Sequence, residues 1–149
     1  EDIVILENIL SNTERKINVL GFRNYRKFKD ESLSLSPINY LIGANSSGKS
    51  SCIKAILLFK TNLNDELFPF YINPYRAKLQ LGSFNDMLKR DSKDNTIDFI
   101  FNEIEFTYCQ SKNDNILGFL ESIKVGEIKI YFKEGRPTKA MIDSEEWSR

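Results

Sequence analysis

The chain contains no histidine, and its 149 residues hold only two cysteines, Cys52 and Cys109. A zinc site built from His and Cys ligands is thereby excluded. The commonest general base of enzyme chemistry is missing too. Two cysteines make no disulfide framework, and the economical reading is a pair of reduced, buried thiols in a cytoplasmic protein. An excess of charge of one sign is also lacking. Twenty-one Lys and Arg balance twenty-one Asp and Glu, so the chain as a whole makes no electrostatic case for nucleic acid or an anionic membrane. No apolar run reaches the length of a transmembrane helix, and no signal peptide is visible. There is no internal repeat and no low-complexity tract.

What remains is an ordinary soluble composition, 41% hydrophobic and 28% charged, in a chain long enough for one domain with a sizeable core. Within it, Gly43, Ala44, Asn45, Ser46, Ser47, Gly48, Lys49 and Ser50 spell G-x-x-x-x-G-K-S. This is the pattern of a phosphate-binding loop. Glycines let the backbone curl around phosphate so that its N–H groups point inward. Lys49 can reach the β- and γ-phosphates of a nucleotide, and the Ser50 hydroxyl can ligate Mg²⁺. Ser51, next in line, supports the α-phosphate.

The flanks fit the motif. Residues 38–42 (Ile-Asn-Tyr-Leu-Ile) form a short β-prone run after Pro37, which predicts a buried parallel strand. Residues 51–60 predict a helix, with Ile53, Ile56, Leu57 and Lys60 at the i, i+3, i+4, i+7 spacing. Strand, glycine-rich loop and helix is the context that places a positive helix terminus at the phosphates.

Elsewhere the pattern is β-rich. Residues 3–10 are apolar and fit a short helix or a strand. Strands are predicted at 17–22 and at 28–35, the second interrupted by a turn or bulge at 29–32. Residues 62–74 read as a loop holding Pro69 and Pro74. A strand over 79–84 precedes a short helix capped by Asn85 and ending near Leu88. Alternation from Thr96 to Tyr108, shifted between Phe101 and Ile104, predicts one strand with a bulge. Ile123, Val125, Ile128, Ile130 and Phe132 mark two strands of a hairpin around Gly126 and Glu127. Residues 135–137 read as a turn, and the rest is weakly patterned. The predicted fold class is therefore α/β, a phosphate-loop helix beside a β-rich, mostly antiparallel subdomain. Helices and strands do not alternate throughout, as they would in a doubly wound enzyme.

Residues 20–28 (Leu-Gly-Phe-Arg-Asn-Tyr-Arg-Lys-Phe) resemble the opening segment of the RecF, SMC and OLD-type ATPases, which lies about twenty residues before their phosphate loop. The phosphate loop itself, with Asn45 at its third position, is similar to theirs, and Leu81-Gly82-Ser83-Phe84-Asn85-Asp86-Met87 is similar to a segment of bacterial AAA-type ATPases of the OLD group. The likeness covers roughly residues 17 to 109. It implies a P-loop NTPase fold, the first lobe of an ABC-like ATPase head that binds ATP and Mg²⁺. It further implies homodimerisation with nucleotide between the heads, Arg23 and Asn24 near the nucleotide, and coupling to DNA, to a partner nuclease or to anti-phage defence.

The same likeness implies what is missing. Residues 1–16 form an N-terminal segment, 17–62 the strands with the loop and its helix, and 63–149 the β-rich subdomain. A hydrolysing head also needs a strand ending in Asp-Glu, and the nearest imitation, residues 140–145, is short and follows Pro137. No signature motif is present. A magnesium-contacting Gln is sought at Gln80 or Gln110, where a surface role is the plainer reading. The second lobe is therefore expected outside this sequence.

Two rival readings stand beside an ATPase. One is a P-loop kinase or phosphotransferase, against which the β-rich remainder argues. The other is a non-hydrolysing nucleotide-binding domain that serves assembly. The aromatics Phe59, Phe68, Phe70, Tyr71 and Tyr75 read as core or interface rather than as a base-stacking surface. Arg26, Lys27 and Lys29 read as a solvated strand edge.

Overall fold

Alternating apolar and polar side chains, strongest at Ile97, Phe99 and Phe101, build a sheet with one buried and one polar face. The computed structural model of the chain describes residues 17–142 and 145–148. The apolar stretch at 3–10 lies outside them, as do Asp143 and Ser144 of the sought Asp-Glu strand.

The strands are β1 (Val19–Tyr25), β2 (Phe28–Ser34), β3 (Tyr71–Ile72), β4 (Thr96–Phe101), β5 (Ile104–Gln110), β6 (Gly118–Val125), β7 (Ile128–Lys133), β8 (Arg136–Ile142) and β9 (Glu145–Ser148). All pair antiparallel in the order β2-β1-β4-β5-β6-β7-β8-β9, with β3 on the first half of β6. The helices are α1 (Lys49–Asn62) and the single turn α2 (Phe84–Met87), with a 3-10 turn at Arg76–Lys78.

The buried face carries Leu20, Phe22, Phe99, Phe106 and Tyr108, and α1 lies in the same core through Cys52, Ala55, Leu58 and Phe59. Phe59 is the hub: its ring meets those of Phe68, Phe99, Phe101, Phe106 and Tyr108 at 4.5 to 6.1 Å between centroids. Asn62, buried at the end of α1, donates to the carbonyls of Leu58 and Asn73 and accepts from the Asn73 N–H. The loop that follows is thereby tied back to the helix.

Several expectations are corrected. The helix buries Cys52, Ala55, Leu58 and Phe59, whereas Ile53 and Leu57 of the predicted apolar face are exposed. Both sides of α1 are apolar, and the sheet covers only one. Residues 38–42 form no strand; Ile38, Tyr40 and Ile42 are 74%, 85% and 92% exposed. A parallel strand needs a parallel neighbour, and every pairing among the described residues is antiparallel.

No strand forms at 79–84, because Lys78, Gln80 and Gly82 all take positive φ (52°, 54° and 76°), which a strand does not tolerate. The helix after it is capped by Ser83 rather than Asn85, in a reciprocal box with Asp86. The shift between Phe101 and Ile104 is a two-residue hairpin turn at Asn102 and Glu103, with Asn102 at φ 56°, and not a bulge. Beyond Gly135, the weakly patterned tail adds β8 and β9 to the sheet.

Candidate functional site

The phosphate-loop motif folds into a short irregular loop that runs straight into α1. Gly48 sits at the helix N-cap with φ 104°, a conformation that favours glycine, and no side chain caps the first turn. The opening N–H groups of α1 therefore have no side-chain acceptor, which is the state in which a helix terminus receives an anion. Close packing adds to the constraint. A Cβ on Gly48 would fall 2.7 Å from Phe28 Cζ, and one on Gly43 would fall 2.7 Å from Ser47 Oγ. Inside the loop, the Ser47 N–H donates to the Ala44 carbonyl. Lys49 Nζ donates to the carbonyls of Gly43 and Ala44, the latter at 3.0 Å, so the ammonium lies folded over its own loop.

The β1–β2 hairpin holds this loop in place. Tyr25, fully buried, donates its hydroxyl to the Ser51 carbonyl at 2.9 Å. Phe28 stacks on Phe22 and lies against Gly48. Burial pushes the Tyr25 phenol well above its ordinary range, so it stays a hydroxyl donor at every working pH. Burial also raises the Cys52 thiol on the first turns of α1, and Cys109 is pushed up to about 12, chiefly by burial. Neither thiol is a ready nucleophile.

A cavity of about 800 Å³ opens beside the loop. One side is formed by Asn45, Ser46, Ser47, Gly48, Lys49, Ser50 and Ser51. The other is formed by Arg26 and Lys27 of the β1–β2 turn and by Leu88, Lys89, Arg90 and Asp91 after α2, with Asp86 beside them. The two turns are bonded to each other: Arg26 N–H donates to Met87 O, and Lys89 N–H donates to Asn24 O. Tyr25 and Leu88 form an isolated bridge between them. Asp86 accepts from the N–H and hydroxyl of Ser83, which hold its carboxyl below the usual range.

Of the expected site residues, 45 to 51 line the cavity together, and Gly43 and Ala44 supply the carbonyls that hold Lys49. Arg23 and Asn24, expected beside a nucleotide, do not line it. The Arg23 guanidinium points to the polar face of the sheet, paired with Glu105, Asp98 and Asp30, and the carboxylates of Glu105 and Asp98 raise its pKa. The Asn24 amide donates to the carbonyls of Asp94 and Thr96. Neighbouring Arg26 and Lys27 reach the cavity instead, because the hairpin turns at that point. Sequence reasoning misses Lys89, Arg90 and Asp91: their segment lies about forty residues from the phosphate loop and more than sixty from Arg26 and Lys27, and no spacing rule joins them. Gln80 and Gln110 lie outside the cavity lining as well.

The residues present suit a nucleotide and its Mg²⁺. Uncapped helix amides and Lys49 answer phosphate, and the Ser50 hydroxyl, exposed at the second position of α1, is free to meet a hard cation. Among the described residues, no cluster of His, Cys, Asp and Glu could hold a metal by itself. No helix among the described residues is long and apolar enough to cross a membrane.

Comparison with protein families gives a match to the AAA ATPase domain over residues 16–148, nearly the whole chain. Comparison with curated proteins finds no match.

Proposed function

The chain belongs to the AAA ATPase domain family, and on that premise we propose that it is the first, nucleotide-binding lobe of an ATPase head of the RecF, SMC and OLD-like group, with a P-loop NTPase fold. ATP is bound at the cavity beside α1. The amides of residues 45 to 50 and the Lys49 ammonium take the phosphates, Ser50 takes Mg²⁺, and Ser51 lies toward the α-phosphate. Mg²⁺, when bound, neutralises charge on the phosphates during transfer to water. The chain's own residues bind and orient: Lys49 swings from its loop carbonyls to phosphate, and Tyr25 and Phe28 keep the loop in register. The carrying observation is the uncapped N-terminus of α1, with Gly48 at φ 104° and Lys49 beside it, opening on the cavity.

Hydrolysis is completed elsewhere. The groups that polarise the attacking water belong to a second lobe, and a homodimer of heads encloses the nucleotide. The exposed run at residues 38–42 and the exposed Ile53 and Leu57 of α1 support this division, since an apolar β-prone segment without a ladder partner is a surface made to be covered. In the intact, cytoplasmic protein the head drives a DNA-linked or defence process, through DNA or a partner nuclease. The rival reading, a non-hydrolysing assembly domain, rests on the way Lys49 is folded onto Gly43 and Ala44.

Titration of the protein with MgATP, beside a Lys49→Ala variant of equal stability, tests the reading. Binding that the substitution abolishes supports it; equal affinity in both proteins refutes it. Binding without turnover in the complete dimer turns the assignment to the assembly domain.

A further inference from the structure

The wall of the cavity facing the phosphate loop is unusually cationic for this chain. Arg26, Lys27, Lys89 and Arg90 line it, and with Lys49 they make five cations against the two carboxylates Asp86 and Asp91. The cavity thus carries an excess of three positive charges in a protein whose formal charge is zero. Among the described residues, none of Lys27, Lys89 and Arg90 has a carboxylate within salt-bridge distance, although Arg23 on the same hairpin has three.

The wall is also built, not a chance meeting of long side chains. Backbone bonds from Arg26 to Met87 (2.8 Å) and from Lys89 to Asn24 (3.1 Å) lock the two turns together. The Arg26 guanidinium is held by the Leu81 carbonyl at 2.9 Å. Arg26 and Asp91 both take left-handed backbone, at φ 53° and 64°. An arginine at such a position is disfavoured, and glycine or asparagine would fit the turn with less strain. Strain retained at a cavity-lining cation points to a use for the charge.

We propose that the turns carrying Arg26, Lys27, Lys89 and Arg90 form an electrostatic selector that makes the cavity prefer nucleoside triphosphates to diphosphates. The inference rests on the reading of the cavity as a nucleotide site. Every phosphate charge gains from each wall cation at a distance, without a dedicated contact, so the ligand with more charge gains more. A polymeric nucleic acid is a poorer fit, because the cations are confined to one cavity with Asp86 and Asp91 among them and form no extended stripe.

The test uses the full chain and a Lys89→Gln/Arg90→Gln double variant, with MgATP and MgADP titrated at low and moderate salt. Both side chains are at least partly exposed, so thermal stability stays near wild type. ATP affinity falls more than ADP affinity, and the ATP:ADP preference drops about three- to tenfold at low salt. The salt dependence of ATP binding becomes shallower. An unchanged ATP:ADP ratio, with Lys49→Ala still abolishing binding of both nucleotides, overturns the selector and spares the nucleotide site. If Lys49→Ala leaves both affinities intact, the nucleotide site itself fails and the selector with it. Single-stranded oligonucleotide is the control ligand; binding it more tightly than ATP overturns the proposal in favour of nucleic acid.

Discussion

The Tyr25 hydroxyl donates to the carbonyl of Ser51 at 2.9 Å, joining the end of β1 to the first turn of α1 across 26 residues of chain. This bond makes the β1–β2 hairpin the mount of the phosphate loop. Tyr25→Phe keeps the ring and removes the bond. We expect a loss of about 1 kcal/mol in stability and a several-fold weaker nucleotide affinity. Urea unfolding and ATP titration of the same variant check both; an affinity unchanged beside a lowered stability would confine Tyr25 to the core.

Phe59 is the second mount, seated on the sheet from the other end of α1. Phe59→Ala leaves a cavity among Phe68, Phe99, Phe101, Phe106 and Tyr108. The expected cost is about 3 to 5 kcal/mol. Against the roughly 5 to 15 kcal/mol that stabilises a typical domain, that is enough to lower the denaturation midpoint strongly. Phe59→Leu, which refills most of the volume, recovers much of the loss.

Arg23 separates structure from ligand contact. Its guanidinium bridges Asp98 and Glu105, whose side chains are each 18% exposed. Arg23→Ala leaves two half-buried carboxylates facing each other without a cation. Stability falls by about 1 to 3 kcal/mol, while ATP affinity stays within about twofold because Arg23 does not line the cavity. A selective loss of affinity at native stability would return Arg23 to the nucleotide.

Asp86 gives a pH signature. Hydrogen bonds first from the Ser83 side chain and then from its backbone hold the carboxyl below its ordinary value near 4. A depressed folded pKa adds stability above the unfolded pKa, and that stability is lost as pH falls through the folded one. The acid side of the stability profile is therefore steeper in wild type than in Asp86→Asn below about pH 4. Thermal melts from pH 3 to 7 check it; parallel profiles would leave Asp86 without a role in the cap.

Local features were the legible ones. The phosphate loop and its helix declare themselves through glycine spacing and a continuous apolar run, and the 126–127 hairpin through Gly126. Burial was less legible where it depends on what lies opposite. Ile53 and Leu57 have the periodicity of a buried face, yet the sheet took Cys52, Ala55, Leu58 and Phe59 instead. Residues 38–42 have the composition of a strand, but a strand exists only with a neighbour. Asn102 carries a local signal, since asparagine at a break in alternation favours the left-handed turn seen there. The Lys89–Arg90 wall had no signal at all, because its meaning arises from bonds to Asn24 and Arg26 across more than sixty residues.

Nucleotide seated between the phosphate loop and the two cationic turns would shield the backbone of both. Backbone hydrogen exchange with and without MgATP is the decisive measurement. Exchange slows at the amides of residues 45 to 52, with a smaller effect at 88 to 91 and none on β7. Protection confined to other elements, or none at saturating MgATP, would contradict that seating.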